Sequence, residues 1–247
     1  MRRFFVEKNN AVSPGEELIL YGDEAKHIGT VLRMETGDEL ILINGDGLER
    51  TAKIAAVTRD SVTIKIIGEA PCTAEPNVHV TLFQCLPKAG KMETIIQKCV
   101  ELGVFRVQPV CSKRCVVRLD GSAGGDKKIL RYNKVSQEAA KQCGRGIAPE
   151  VCCAVALERC DFTAFDCVLV AYEDENETSL KQVLRSDRTM KNIAIVIGPE
   201  GGFEPNEVES ILRGNRNAHS VSLGKRILRT ETAGMAMLAM LMYELEG

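Results

Sequence analysis

Short apolar stretches separated by polar turns fill the first 70 residues, a pattern that predicts β-strands. One amphipathic stretch among them, Asp23 to Arg33, predicts a helix with Asp23 as its N-cap and with Ile28, Val31 and Leu32 on one apolar face. The predicted strands are FFV, EELILY, DELILIN, RTAKIAAV and SVTIKII. These elements indicate a small barrel-like β domain over residues 1–70, and the proline-bounded stretch at residues 71–76 indicates a linker.

From residue 77 onward, apolar strand-like runs alternate with amphipathic helices. The run NVHVTLFQCLP precedes METIIQKCVELG, and the same alternation continues to a C-terminal helix. Such alternation predicts a parallel sheet covered by helices on both sides, so residues 77–247 are predicted to form an α/β domain. Within it, the glycine-rich stretch DGSAGGDKK is predicted to be an exposed loop.

The ten cysteines do not have the spacing of a metal site. No C-x-x-C occurs, and only Cys111-x3-Cys115 approaches the spacing of a ligand pair, so we expect no metal. With no secretion signal in view, the thiols indicate a reducing cytoplasm. The longest uncharged stretch near the C-terminus, Thr232 to Tyr243, has 12 residues, whereas a membrane span needs about 20. We therefore expect a soluble cytoplasmic protein.

Charge is distributed unevenly along the chain. The whole chain has a formal net charge of -2, but residues 84–150 hold 13 basic and 6 acidic residues, a net charge of +7. A face that binds a polyanion and the solvated faces of two helices both account for this excess, and both remain open. Aromatic residues make up only 4%, so few rings are available for stacking on bases.

The most informative segment is IAIVIGPEGGFEPNEV. The apolar run from Ile193 to Ile197 enters a turn that contains three glycines, and a helix begins near Pro205. Glycine lets backbone N–H groups approach a ligand closely. Because the motifs G-x-x-x-x-G-K-[ST] and G-x-G-x-x-G are absent, Mg-nucleotide hydrolysis and a Rossmann dinucleotide site are disfavoured. A plain strand-to-helix connection is the structural alternative, although it needs one glycine rather than three.

A second segment, SVSLGKRILRTETAGMAMLAMLMYELE, adds positive charge to a turn. A short strand ends at Leu223-Gly224, and Lys225, Arg226 and Arg229 precede a long helix rich in Ala and Met. A C-terminal core helix accounts for the alanines and methionines. It does not account for the basic residues.

Together these stretches resemble the SPOUT-type RNA methyltransferases, and specifically the ribosomal RNA small subunit methyltransferase E family. The most specific match is IGPEGG followed by LG-x-RILRTETA. The chain departs from the family pattern at Cys115 and Cys143, where Ser is usual or common, and at Glu204, where a capping Ser or Thr is usual. The matching stretches are RRFF, HIGTVLRMETGD, KMETIIQKCVELGV, EAAKQCGR, IGPEGGFEPNE and LGKRILRTETA.

The resemblance implies a PUA-like RNA-binding barrel followed by an α/β domain with a C-terminal trefoil knot. It further implies a homodimer that binds S-adenosyl-L-methionine in the knot and methylates N3 of a uridine in 16S rRNA of the small ribosomal subunit. Two other functions stay open. One is a SPOUT enzyme that acts on another RNA target, such as a tRNA ribose 2′-OH, and the other is a catalytically silent RNA-binding protein of ribosome assembly.

Methyl transfer from a sulfonium is an in-line displacement, so the site must hold the methyl group about 3 Å from the acceptor nitrogen and remove a proton. Loss of that proton puts negative charge on the uracil, which a guanidinium stabilises. Arg229 is the first expectation for this role, and Arg145, donated by a partner subunit, is the second. Glu231 or Glu200 is expected to be the base, or else to orient an arginine or cap a helix.

The resemblance assigns the cofactor-binding residues, and the expected RNA contacts come from the barrel and from the positively charged residues of segment 84–150. The expected cofactor-binding residues are Ala171, Tyr172, Gly198, Pro199, Glu200, Gly201, Gly202, Leu223, Gly224, Ile227 and Leu228. The residues expected to contact RNA phosphates are Arg2, Arg3, Arg33, Lys88, Lys91, Arg114 and Arg131.

Overall fold

The computed structural model describes residues 2–6, 13–88, 90–117 and 123–246, with the backbone alone at residues 123 and 124. The chain divides into two compact units. Unit 1 runs up to Glu75 and includes Ala140–Ala148, and unit 2 comprises Pro76–Ala139 and Pro149 onward. The packing of Ala140–Ala148 with unit 1 is not indicated by any sequence pattern. Among the described residues, no helix combines the length and the apolar character that a bilayer crossing requires.

Unit 1 contains a five-stranded sheet within the described part of the chain. The strands are β1 (Arg2–Phe5), β2 (Glu17–Tyr21), β3 (Glu39–Ile43), β4 (Leu48–Val57) and β5 (Ser61–Pro71). They follow the order β1-β3-β4-β5-β2, with β1 parallel to β3 and the other neighbours antiparallel. Alternate side chains such as Leu40, Ile54 and Ile64 are buried, as the period-2 pattern predicts.

The predicted helix Asp23–Arg33 is divided into two parts. A short helix, α1 (Gly22–Lys26), runs into a π-helical turn at His27–Val31. Ile28 is fully buried, as predicted, but Val31 is 69% exposed because the wider turn rotates it away from the core. The apolar face predicted from α-helical spacing is therefore wrong at Val31.

Two other local predictions are also wrong. Asp23 is not the N-cap of α1, because Tyr21 holds that position with an extended backbone and Asp23 lies in the first turn. The stretch DGSAGGDKK is helical from its fourth residue, since α3 (Ala123–Cys143) begins there with Asp126 in its first turn. Residues 118–122 lie outside the described residues.

Unit 2 is a parallel sheet with helices in the connections. The strands are β6 (His79–Cys85), β7 (Arg106–Cys111), β8 (Glu150–Val151), β9 (Val155–Ala156), β10 (Cys167–Ala171), β11 (Asn192–Ile197) and β12 (Ala218–Val221). Their order is β12-β10-β11-β6-β7-β8, and β9 pairs with β7. The strands β8 and β9 were not predicted because two residues are too few to carry a pattern. The other helices are α2 (Lys91–Glu101), α4 (Leu180–Ser186), α5 (Pro205–Gly214) and α6 (Thr230–Leu245), and a 3-10 turn covers Leu157–Arg159.

The register of the central strands brings their carboxyl ends to one level. Ala171 of β10 lies opposite both Ile197 of β11 and Val221 of β12, and Ile197 lies opposite Gln84 of β6. In an open parallel sheet, ligands bind in the crevice beyond the carboxyl ends of the strands. The loops that follow β10, β11 and β12 therefore meet at the edge where a site is expected.

Candidate active site

These three loops, with the first turn of α6, enclose a cavity of about 580 Å³. Small-molecule sites usually measure about 300–1,000 Å³. Of the residues expected to bind a cofactor, only Gly201 does not line this cavity. The others all do: Ala171, Tyr172, Gly198, Pro199, Glu200, Gly202, Leu223, Gly224, Ile227 and Leu228.

The turn after β11, residues 198–203, requires glycine for two reasons. Gly202 has φ +68°, a left-handed conformation that residues with a Cβ rarely adopt. A Cβ at Gly202 would also collide with the carboxylate of Glu173, 2.8 Å from its Cδ. A Cβ at Gly198 would lie 3.2 Å from the ring of Phe203.

A short loop, residues 112–115, supports the glycine turn from the outside, and we call it the buttress loop. Arg114 Nη1 donates a 2.9 Å hydrogen bond to the carbonyl oxygen of Gly201. The backbone N–H of Lys113 donates to Glu207 Oε1 at 2.9 Å, and Glu207 Oε2 accepts from the N–H of Glu204 at 2.9 Å. Glu204 and Glu207 thus form a reciprocal capping box at the start of α5, in which the side chain of Glu204 does what a capping Ser or Thr usually does. Arg114 contacts the turn as well as solvent.

A buried chain of hydrogen bonds supports the same turn from the inside. Gln84 Nε2 donates to Thr230 Oγ1 at 2.9 Å, and Thr230 Oγ1 donates to the carbonyl oxygen of Gly198 at 2.6 Å. Gln84 is fully buried and Thr230 nearly so. Neither residue was predicted, although the Gln inside the apolar run VTLFQCL is a signal, because a buried amide needs a polar partner.

Lys91 lies in the cavity wall between two carboxylates. Its Nζ is 3.4 Å from Glu200 Oε1 and 3.2 Å from Glu231 Oε2. Burial raises the pKa of Glu200, but hydrogen bonds from its own N–H and from the N–H of Lys88, with the charge of Lys91, lower it overall. The pKa of Glu231 is lowered by its own N–H and, against burial, by Lys91 and Arg229. Both carboxylates are therefore held ionised.

The two arginines expected in catalysis have different surroundings. Arg229 is exposed, lines the cavity and holds the N-cap position of α6. Within the described residues, its guanidinium has no hydrogen-bond partner. Arg145 belongs to unit 1, where it is 3% exposed and pairs with Glu75, with 2.8 Å between Nη2 and Oε2. The structure brings Arg229 to the cavity, and Arg145 is not among the lining residues.

Most of the cations expected to contact RNA are at the surface. Arg3 is half-buried and pairs with Glu49 at 2.9 Å. Arg33 has φ +51°, the one positive φ outside glycine in the described part of the chain. The exposed residues of the expected set are Arg2, Arg33, Lys88, Arg114 and Arg131. Among the residues that the structure describes, no cluster of three or more potential metal ligands occurs.

Sequence comparisons identify both units. The model of the RNA methyltransferase domain matches residues 74–242, and that of the RNA methyltransferase PUA domain matches residues 20–67. Ribosomal RNA small subunit methyltransferase E of Bacillus subtilis is 32% identical over 253 residues, covering 100% of this chain and 98% of the relative. The chain belongs to the ribosomal RNA small subunit methyltransferase E family.

Two solved methyltransferase structures have the same fold. The methyltransferase E of Neisseria gonorrhoeae, solved bound to S-adenosyl methionine, is 27% identical with a TM-score of 0.85, covering 98% of this chain and 97% of that one. A methyltransferase of Legionella pneumophila, solved with the bound cofactor SAM, is 32% identical with a TM-score of 0.81, covering 98% and 96%. The expected SPOUT-type α/β fold, preceded by a small PUA-like domain, is confirmed.

Proposed function

We propose that this protein is an S-adenosylmethionine-dependent methyltransferase that modifies N3 of a uridine in 16S rRNA. The observation that carries the proposal is the cavity at the carboxyl ends of β10, β11 and β12. Ten of the residues expected to bind the cofactor line this cavity. Membership of the family supplies the reaction class, and the cavity supplies a place for the donor.

The residues of the cavity suit the charges of this cofactor. The carboxylates of Glu173, Glu175 and Glu200 line it and complement a sulfonium and an α-ammonium. Lys225 and Arg226 line the same cavity and complement an α-carboxylate. When bound, S-adenosylmethionine supplies an activated methyl group, so the protein has to position the acceptor and manage one proton.

Arg229 has the position and charge to stabilise the uracil anion. The negative charge left on O2 and O4 when N3 loses its proton is stabilised by a guanidinium that needs no rearrangement. Arg229 is exposed at the cavity and has no competing hydrogen bond within the described residues. Arg145, paired with Glu75 in unit 1, is not given this role.

Glu231 is assigned to orienting the start of α6 rather than to removing the proton from N3. A general base works best when its pKa lies near the working pH, and the pKa of Glu231 is lowered from an ordinary value of 4.5. Its Oε2 is bound to Lys91, and its charge faces Arg229. We infer that Glu231 and Lys91 fix the start of α6, which carries Arg229.

RNA affinity is assigned to exposed cations. Arg2 and Arg33 of unit 1, and Lys88 and Arg131 of unit 2, are exposed and suited to phosphate contacts, which give affinity without sequence selection. Because N3 lies on the Watson–Crick edge, the target base must be unpaired or flipped out before it reacts. Lys91 is removed from this group, since two carboxylates already neutralise it.

We also propose that two copies associate. The large apolar side chains of Met240 and Tyr243 are 43% and 87% exposed at spacing i, i+3 on α6, which suits a helix face that packs on a second copy. Light scattering of the purified protein tests this, and a monomer at micromolar concentration contradicts it.

Mass spectrometry of 16S rRNA nucleosides tests the proposed substrate. A strain that lacks the gene should lose one 3-methyluridine, and expression of this chain should restore it. An unchanged level of 3-methyluridine excludes the proposed base, and loss of a 2′-O-methyl group from tRNA instead identifies the other SPOUT reaction.

A thermal shift with S-adenosylmethionine tests catalysis against a silent RNA-binding role. A ligand at 100 times its Kd stabilises the folded state by about 2.7 kcal/mol. The melting temperature should therefore rise with the cofactor and with its demethylated product. A melting temperature that neither ligand changes identifies a catalytically silent RNA-binding protein.

A further inference from the structure

One carboxylate in the cavity wall, that of Glu173, lies against the glycine turn. Its Cδ is 2.8 Å, and its Oε2 2.9 Å, from the point that a Cβ on Gly202 would occupy. The carboxylate can come this close because position 202 is a glycine. Within the described part of the chain, the carboxylate of Glu173 makes no hydrogen bond and no ion pair. Both of its oxygens are therefore available to a ligand of the cavity.

The other described carboxylates of the cavity wall, Glu175 and Glu200, already have partners. Glu200 pairs with Lys91, with 3.4 Å between Oε1 and Nζ. Glu175 Oε1 accepts hydrogen bonds from the N–H groups of Glu177 and Thr178, at 2.8 and 2.9 Å. Glu175 thus holds the loop after β10 in shape, and Glu200 holds Lys91. Glu173 has no such structural task.

The described side chains that line the cavity carry more positive than negative charge. Four cations face three carboxylates, which gives a net charge of +1. A positive cavity repels a cationic ligand unless a carboxylate acts on the cation locally. The sulfur of S-adenosylmethionine is positively charged, whereas that of its demethylated product is neutral. Loss of Glu173 would make the cavity more positive and shift its preference toward the product. The four cations are Lys91, Lys225, Arg226 and Arg229.

We infer that Glu173 is a specificity-determining residue, which makes the cavity prefer the sulfonium donor to the neutral product. The inference rests on the proposed function, because it concerns the same cavity. Glu173 acts through its charge, and a ligand that displaces water from the cavity strengthens the attraction between that charge and its own. Donor and product compete for one site, so this preference limits inhibition by the product.

Calorimetric titration of the full-length protein with three ligands tests the inference. The ligands are S-adenosylmethionine, its product S-adenosylhomocysteine, and sinefungin, in which a carbon that bears an ammonium group replaces the sulfonium. Glu173→Gln removes the charge but keeps the length of the side chain and one hydrogen-bond acceptor. We expect the Kd of the variant to rise about tenfold for S-adenosylmethionine and for sinefungin, because both lose an attraction between opposite charges. For S-adenosylhomocysteine the Kd should change by less than about twofold, because its sulfur is neutral.

Two further variants separate charge from shape and position. Glu177→Gln removes a carboxylate from the same loop at an exposed position outside the cavity lining. It should leave the three Kd values within about twofold of the wild type, since solvent screens a charge at the surface. Glu173→Asp keeps the charge on a shorter side chain and should bind the two cationic ligands more tightly than Glu173→Gln does.

An equal loss of affinity for S-adenosylmethionine and S-adenosylhomocysteine in Glu173→Gln would overturn the inference. Such a result would place the carboxylate on a group that both ligands share, such as a ribose hydroxyl or the α-ammonium. Unchanged affinities for all three ligands would also overturn it, because Glu173 would then be a solvated side chain without a role. Wild-type protein that binds none of the ligands would contradict the proposed function together with this inference, whereas normal wild-type binding with an unchanged preference in Glu173→Gln contradicts the inference alone.

Discussion

The hydroxyl of Thr230 donates its hydrogen to the carbonyl oxygen of Gly198 across 2.6 Å, joining the first residue of α6 to the turn after β11. The orientation of this hydroxyl is set by Gln84 Nε2, which donates to Thr230 Oγ1 at 2.9 Å. Because these groups are buried, water cannot replace a lost partner. The wall of the cavity thus depends on a polar link between segments far apart in the chain.

Thr230→Val should weaken cofactor binding by about tenfold and lower the free energy of unfolding by about 1–3 kcal/mol, the usual penalty for leaving buried polar groups unpaired. The substitution removes the donor to Gly198 and the acceptor for Gln84 while it nearly preserves volume. Calorimetric titration with S-adenosylmethionine and urea unfolding measure the two effects.

Thr230→Ser is the matched control, because it keeps the hydroxyl and removes a methyl group. It should retain cofactor affinity within about twofold, since the hydrogen bonds persist. Equal losses of affinity in the Ser and Val variants would assign the effect to packing and contradict the role of the hydroxyl.

Gly202→Ala should weaken cofactor binding by about tenfold. A left-handed backbone costs a residue with a Cβ about 1–2 kcal/mol, and the added methyl would press on the carboxylate of Glu173. Gly214→Ala is the control, since nothing lies within 4 Å of its added Cβ and its φ is not positive. Cofactor affinity that is equal in the two variants would show that the turn does not need glycine at position 202.

The elements that sequence predicts well are those with a long local pattern. The apolar runs that became β6, β10 and β11 are buried on both faces, so a strand covered by helices was the natural prediction. The glycines at 198 and 202 were identified because their spacing departs from that of an ordinary connection, and both line the cavity. The π-helical turn after α1 escaped prediction because its residues also fit α-helical spacing.

Pairings between distant residues were out of reach of the sequence analysis. Lys91 was grouped with the phosphate-binding cations because only its charge was visible, and its carboxylate partners lie 109 and 140 residues further along the chain. Arg145 matched the family motif, but its ion pair with Glu75 spans 70 residues. The sequence shows which charged residues a site has available, whereas the fold determines which partner neutralises each of them.

Arg229→Ala should lower kcat by about 10²–10³, the usual effect of removing one preorganised donor to a developing anion, while the Kd for S-adenosylmethionine stays nearly constant. The Kd should stay nearly constant because the guanidinium faces the cavity without a hydrogen-bond partner among the described residues, so its removal breaks no hydrogen bond that holds the cavity wall. Single-turnover methylation of 16S rRNA measures the rate.

Arg216→Ala, at an exposed arginine outside the cavity lining, is the control for lost positive charge. It should leave kcat unchanged and at most weaken RNA binding in a salt-dependent way. Full turnover by the Arg229→Ala variant would remove Arg229 from the reaction.

Lys91→Met should change how the free energy of unfolding depends on pH. The pKa values of Glu200 and Glu231 are lowered from 4.5 in the folded protein, so their ionisation stabilises the fold above that pH, and the stabilisation is lost as the pH falls through the lowered values. Since Lys91 contributes to both shifts, the variant should be less stable than the wild type at neutral pH. The difference should shrink as the pH falls below about 4.5.

Urea unfolding at a series of pH values measures this difference, and Lys98→Met on the same helix is its control. Lys98 pairs with Glu101 on the surface at 2.8 Å, and such pairs contribute little to stability. The two variants should therefore differ most at neutral pH and converge in acid. If Lys91→Met instead leaves stability at neutral pH unchanged but reduces the salt dependence of RNA binding, Lys91 contacts phosphate, and the carboxylates on either side of it do not control its role.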